Sequence, residues 1–425
     1  MATFIIRGGQ RLAGTFVPLG NKNAVLPMLA AATLTDQPVT LRNVPDIADV
    51  RVMLELLAGL GADIERRDHE VTLCCARLRR TRLDESRCRL VRSSILLAGP
   101  LAARHGRAVL SPPGGDVIGR RRLDTHRIGL GALGITLEGG QQYTFRRRSL
   151  RAADIVLDEA SVTATENILM AASLAPGETT IFNAACEPHV ADLGRLLNAM
   201  GARIEGLGTN RLRVRGVASL RGADMVVPPD YIEAASFLAA AAVTRGELEV
   251  AARLDPVAET IIGRAFARLG LIWSLREGGI ALSARQSRRI VMDDHGVIPK
   301  LEDGPWPAFP SDLMSVFVVL ATQSKGTLLF FEKMYESRMY FVDRLIQMGA
   351  RITACDPHRV VVSGPARLHG ERLSSPDIRA GMSLIIAALC ARGESRIGSA
   401  EIVDRGYERL DERLRSLGAA IERKD

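Results

Sequence analysis

Aromatic side chains make up only 4% of the 425 residues. A core for a chain of this length must therefore be built from aliphatic groups, and an apolar content of 47% is ample for it. The same scarcity weighs against a nucleic-acid groove, where aromatic rings stack on bases between basic residues. Cysteine is sparse as well. Cys74, Cys75, Cys88, Cys186, Cys355 and Cys390 form no C-x-x-C pair and have no histidine at metal-ligand spacing, which predicts reduced thiols and no metal site. No uninterrupted apolar run reaches the roughly 18 residues of a membrane span. The opening Met-Ala-Thr-Phe-Ile-Ile-Arg reads as a strand rather than a signal peptide. The expectation is a cytoplasmic protein without membrane or nucleic-acid partners.

What the chain does have is positive charge and repetition. The net charge of +8 comes mostly from arginine, which suits an anionic ligand or simply reflects the codon habit of a GC-rich genome. One motif recurs six times, as Leu60-Gly61-Ala62, Leu133-Gly134-Ile135, Met200-Gly201-Ala202, Leu269-Gly270-Leu271, Met348-Gly349-Ala350 and Leu417-Gly418-Ala419. Glycine fits there because helices commonly end on a residue at positive φ. In the first copy, Leu26 to Ala32 is apolar nearly all round and predicts a buried helix. Val39-Thr40-Leu41 predicts a strand, and Asp46 an N-cap. Val50, Met53, Leu54 and Leu57 share one helical face, and Val71-Thr72-Leu73 closes the copy as a strand.

One copy cannot bury both its sheet and its inner helix, so the copies must pack together. The expected fold is α/β: a two-domain inside-out α/β barrel of pseudo-threefold prisms. It would be built from six repeated β-α-β-α-β-β units, with helices inside and sheets outside. The expected domains are 22–229, and 1–21 plus 230–425, with a crossover near Pro228-Pro229-Asp230 and the active site in the cleft between them. The opening strand, Thr3 to Arg7, should pair within the second domain.

The candidate chemistry gathers at helix starts and on one loop. The loop, Pro113 to Arg122, places Asp116 among Gly114, Gly115 and Gly119 and ahead of Arg120, Arg121 and Arg122. It reads either as a solvated turn or as an acid beside fixed positive charge. Lys22, Asn23, Arg92, Arg338, Arg379 and Arg405 fall at or near expected helix starts. Cations there oppose the helix dipole, so stability alone would not select them. Singly the lysine and the four arginines each read as a surface cation; together they favour a shared anionic ligand. Asp312 reads either as an N-cap or as a general base facing those cations.

At these residues the sequence resembles the enolpyruvyl transferases, over nearly its whole length. The resemblance is carried by Gly20-Asn21-Lys22-Asn23-Ala24, Arg92-Ser93-Ser94-Ile95, Pro113-Gly114-Gly115-Asp116, Phe309-Pro310-Ser311-Asp312, Glu336-Ser337-Arg338 and Asp404-Arg405-Gly406-Tyr407-Glu408-Arg409. The Lys-Asn and Asp-Arg-Gly-Tyr-Glu-Arg stretches are nearer the amino-sugar branch than the shikimate branch. The resemblance implies transfer of enolpyruvyl from phosphoenolpyruvate to the 3-hydroxyl of UDP-N-acetylglucosamine, with loss of phosphate, at the committed step of peptidoglycan precursor synthesis. It implies no cofactor, no metal and no obligate protein partner.

By the same resemblance, Lys22, Arg121 and Arg405 would bind the phosphoenolpyruvate phosphate, with Arg92 helping on that side. Arg338 and Arg379 would grip its carboxylate, as the planar guanidinium fork allows. Asp312 would accept the 3-hydroxyl proton, Asn23 would bond the sugar, and Asp116 would deliver a proton to the methylene carbon. Arg122, Leu123, Asp124, Thr125, His126, Ser161, Val162, Thr163 and Met334, with Asn23, Arg92, Arg121 and Asp312, would line the nucleotide-sugar side. Asp49 and Asp377 would orient the cations.

The sequence departs from the family pattern at several positions. Asp116 stands where most members have cysteine, which implies insensitivity to fosfomycin, an epoxide that traps the thiolate. Arg122 replaces a usual proline, Glu159 a usual lysine, Thr163 a usual glycine and Tyr231 a usual arginine. These changes leave open a second reading, an enolpyruvyl transferase for another nucleotide or nucleoside. A third is a non-catalytic paralogue or RNA-end-binding protein on the same repeats, disfavoured by the full cationic set.

Overall fold

A computed structural model describes residues 2–424. It contains six small sheets, five of four strands and one of three, and no sheet closes into a barrel. Each sheet is built around the strands of one sequence repeat, so the six copies are six α/β modules. All six stop glycines adopt positive φ, from 71° at Gly270 to 106° at Gly61, as a left-handed helix end requires.

The chain divides into two compact units. One holds Leu19–Asp116 and Arg121–Pro228; the other holds the residues up to Pro18, Val117–Arg120 and those from Pro229 onward. In the first, the inner helices are α1 (Lys22–Ala31), α2 (Ala98–His105) and α3 (Val162–Ala172). A 3₁₀ turn, Arg92–Leu97, leads into α2 and packs on both α1 and α3. In the second, α4 (Tyr231–Val243), α5 (Met314–Gln323) and α6 (Ile378–Cys390) pack on one another, three around one axis. Every residue of α4 is buried, as its all-round apolar surface dictates. The outer strands alternate instead: Arg211–Arg215 turns Leu212 and Val214 inward and three arginines to solvent.

The strand Thr3–Arg7 lies between 394–398 and 420–424, antiparallel to both. A second early strand, Ala13–Phe16, runs parallel to 247–250. The sequence pattern did not announce it, because its burial reads exposed, exposed, exposed, buried.

Several helix starts differ from expectation. Lys22 begins α1 rather than preceding it, and Asn21 is the cap, its side chain accepting from the Asn23 and Ala24 N–H groups. Arg379 likewise lies inside α6, capped by Asp377. Asp46 is not a cap. Ile47 precedes the helix Ala48–Leu60, and Asp46 binds Arg51 and Arg66, whose guanidinium groups hold its carboxyl down to about 2.

Candidate active site

In the Leu19–Pro228 unit, the first turn of α1 carries Lys22 and Asn23. The Lys22 ammonium lies 2.7 Å from an Asp49 carboxylate oxygen, and both side chains are buried. Asp49 comes from the first turn of the next helix, so two adjacent helix starts meet through one ion pair. Arg92 opens its 3₁₀ turn and donates to the Arg121 carbonyl at 2.7 Å. That bond ties two of the expected phosphate ligands into one piece of backbone. Arg122 is exposed and pairs with Asp124 at 3.0 Å. Leu123 precedes and Asp124 begins a short helix whose Thr125 hydroxyl donates to Asp158 at 2.8 Å. His126 on that helix is buried. Burial and the nearby Arg92 push its pKa down to about 3, so it is neutral. Ser161, Val162 and Thr163 form the half-buried start of α3.

Asp116 is partly buried on the glycine-rich loop. The glycine before its neighbour has a specific reason. A Cβ on Gly114 would lie 1.7 Å from the Arg89 carbonyl oxygen, and the Gly114 N–H donates to the Cys88 carbonyl at 3.0 Å. Gly114 thus anchors the loop by close approach, and is not merely a mobile residue.

In the other unit, Asp312 is the centre. It lies in a 3₁₀ turn, Ser311–Leu313, and makes no side-chain cap. Its two carboxylate oxygens are shared out instead. Arg338 donates to one and Arg379 to the other, each at 2.9 Å. Both guanidinium groups are buried, at 4% and 5% exposure. Burial opposes their charge most strongly, but Asp312, joined by Asp377 and Glu332 at Arg338 and by Tyr407 and Asp230 at Arg379, outweighs it, and both pKa values are raised. Arg379 also donates to the Tyr407 hydroxyl at 3.4 Å. Met334 sits in the turn before Arg338, and Arg405 in the turn between two short helices, 400–403 and 410–416.

The structure therefore joins Asp312, Arg338 and Arg379 directly, with Asp377 capping the helix that carries Arg379. In the other unit it joins Lys22 with Asp49 and Arg92 with Arg121. Sequence reasoning missed Tyr407 as a ligand of Arg379, and missed Asp303, Ser311 and Glu332 beneath Asp312. Glu332 was findable: Leu328, Phe330 and Glu332 alternate along one strand direction, and all three are fully buried.

Comparison with known proteins follows from this geometry. A family model described as EPSP synthase (3-phosphoshikimate 1-carboxyvinyltransferase) matches residues 6–414. Proteins named UDP-N-acetylglucosamine 1-carboxyvinyltransferase from Treponema denticola and Bradyrhizobium diazoefficiens are 51% and 50% identical, covering 100% and 99% of this chain and 100% and 97% of their own. Among solved structures, the enolpyruvyl transferase NikO from Streptomyces tendae superposes with a TM-score of 0.87 at 24% identity, covering 100% of this chain and 99% of its own. An EPSP synthase from Acinetobacter baumannii gives 0.76 at 19%, with 100% of both chains covered. At those identities the structural likeness speaks for the fold.

Proposed function

We propose that this chain, which belongs to the EPSP synthase family, transfers the enolpyruvyl group of phosphoenolpyruvate to the 3-hydroxyl of UDP-N-acetylglucosamine and releases inorganic phosphate. The observation that carries the acceptor is the 51% identity, end to end, with a relative of that name. The reaction would open peptidoglycan precursor synthesis in the cytoplasm. Among the described residues no helix is long and apolar enough to cross a membrane.

The chemistry follows from charge placement. Arg338 and Arg379 bind the carboxylate of phosphoenolpyruvate, and Lys22, Arg121 and Arg405 its phosphate, with Arg92 holding the Arg121 backbone. Asn23 bonds the sugar. The 3-hydroxyl oxygen attacks the central carbon while Asp312 takes its proton and Asp116 protonates the methylene carbon. The product is a tetrahedral ketal. The bond to phosphate then breaks, the new methyl group returns a proton to Asp116, and the enol ether is restored. Preorganised cations suit a step in which negative charge shifts among oxygens. The exposed nucleotide-side groups, Arg122, Asp124 and Glu159, would set acceptor preference.

The test is phosphate release from phosphoenolpyruvate with UDP-N-acetylglucosamine, beside UMP, uridine and shikimate 3-phosphate, in wild type and Asp116→Asn. Release with the amino sugar alone, reduced about 10²- to 10⁴-fold in the variant, is expected. Release only with another nucleotide or nucleoside would transfer the reading to that acceptor. No release with any would leave a binding protein.

A further inference from the structure

Beneath Asp312 lies a pair of carboxyl groups that the reaction does not use. Glu332 and Asp303 are 0% and 1% exposed. Glu332 accepts the Ser311 hydroxyl with both oxygens, at 3.0 and 2.9 Å. Ser311 is the residue before Asp312. One of the same Glu332 oxygens also accepts the N–H groups of Met334 and Tyr335, at 3.2 and 3.1 Å. That turn leads into Arg338. One buried carboxyl group therefore holds both the approach to Asp312 and the approach to the arginine that binds it.

We propose that Glu332 is a positioning residue that fixes Asp312 through Ser311 and Arg338 through the 334–335 turn, and that Asp303 keeps it protonated. The inference rests on the assignment of Asp312 as the base in the proposed reaction. Two carboxylates cannot both be ionised side by side away from water. The Lys333 N–H donates to Asp303 at 2.5 Å, which favours the charge on Asp303 and the proton on Glu332. Burial, and then Asp303, push Glu332 up to about 9, while Arg338 and Ser311 pull it the other way. Other charged or titratable groups nearby are Lys333 and Tyr335 on the same turn, Glu302, which pairs with Lys333 at 3.0 Å and with Lys300 at 2.7 Å, and His358, whose ring nitrogen lies 2.7 Å from the Glu332 carbonyl. Asp312 and Asp377 act on the cluster through Arg338.

The sign follows. A carboxyl group with a raised folded-state pKa stabilises the fold fully below its unfolded value, near 4.3, and that stabilisation is lost as pH rises towards about 9. Above that pH both carboxyls are charged and repel. Glu332 withdraws, Ser311 moves with it, and Asp312 loses its position. Gln at 332 imitates the protonated acid, an acceptor towards Ser311 and a donor towards Asp303. Asn at 303 removes the like charge.

The experiment measures kcat for phosphate release from pH 7 to 10 in wild type, Asp303→Asn, Glu332→Gln, Glu332→Ala and Ser311→Ala, with melting temperatures alongside. The wild-type to Asp303→Asn ratio is taken at each pH, which cancels any pH dependence the two proteins share. The ratio should fall at least fivefold around pH 9. Glu332→Ala should lose at least tenfold in kcat, Glu332→Gln should restore most of it, and Ser311→Ala should lose at least fivefold while melting near wild type. A ratio flat across the range, or an unchanged kcat in Ser311→Ala, overturns the inference while phosphate release by wild type stands. A wild type that releases no phosphate with any acceptor overturns the proposed function, and this inference with it.

Discussion

At the scale of single residues, the most consequential is Asp116. A carboxylate is a far weaker nucleophile towards an epoxide than a thiolate is. Wild-type enzyme preincubated with fosfomycin is expected to keep its activity, and Asp116→Cys to lose it with time. Mass spectrometry should find the covalent adduct at position 116 of the variant only; an adduct on the wild-type aspartate would refute the assignment. Asp312 illustrates what a linear sequence conceals. Its proline-serine-aspartate context before an apolar run looks like a helix cap, a local feature. The actual partners, Arg338 and Arg379, lie 26 and 67 residues away. Long-range pairing leaves no local trace, so the sequence left the cap and the base readings side by side, and only family resemblance favoured the second. Tyr231, which stands where the family usually has arginine, is buried with its ring centroid 6.0 Å from that of Trp306.

At the scale of elements, helix ends were legible because their chemistry is local. A glycine that must take positive φ declares itself wherever it recurs, and all six did. The inner helices declared themselves by being apolar on every face. Starts were less legible by one or two residues, because a cap depends on where the chain before it points. The strand Ala13–Phe16 was illegible because its partner lies more than 200 residues further on. The glycine-rich loop Pro113 to Arg122 belongs with these elements. Gly114→Ala is expected to displace the loop, since the added carbon would sit inside the Arg89 carbonyl. Phosphate release should drop by at least tenfold while the melting temperature shifts by only a few degrees. Near-normal kcat in Gly114→Ala would show that the Arg89 contact does not hold Asp116 in place.

At the scale of the whole molecule, the basic balance and the pairing of cations with anionic substrates predict linkage between binding and stability. UDP-N-acetylglucosamine at 100 times its dissociation constant should stabilise the folded chain by about 2.7 kcal/mol. Calorimetry should show the melting temperature rising with that ligand and not with shikimate 3-phosphate; the reverse pattern would move the acceptor to the other branch. Raising ionic strength from roughly 0.05 to 0.5 M should raise KM for both substrates more than it lowers kcat, because screening acts on approach.

The placement of the strand Thr3–Arg7 has a further consequence for how the molecule comes into being. It is an inner strand of its sheet, yet Arg7 and its neighbour Glu394 stand 387 residues apart. At bacterial or eukaryotic elongation rates, about 5–20 residues per second, roughly 20 to 80 s separate their emergence from the ribosome. Throughout that interval Phe4 and Ile6, both fully buried in the finished protein, have no sheet to enter. The unit spanning Leu19–Pro228 can complete itself meanwhile, apart from the four residues Val117–Arg120. This strand is thus placed only after 387 later residues have been made, and its two apolar side chains wait in water until then.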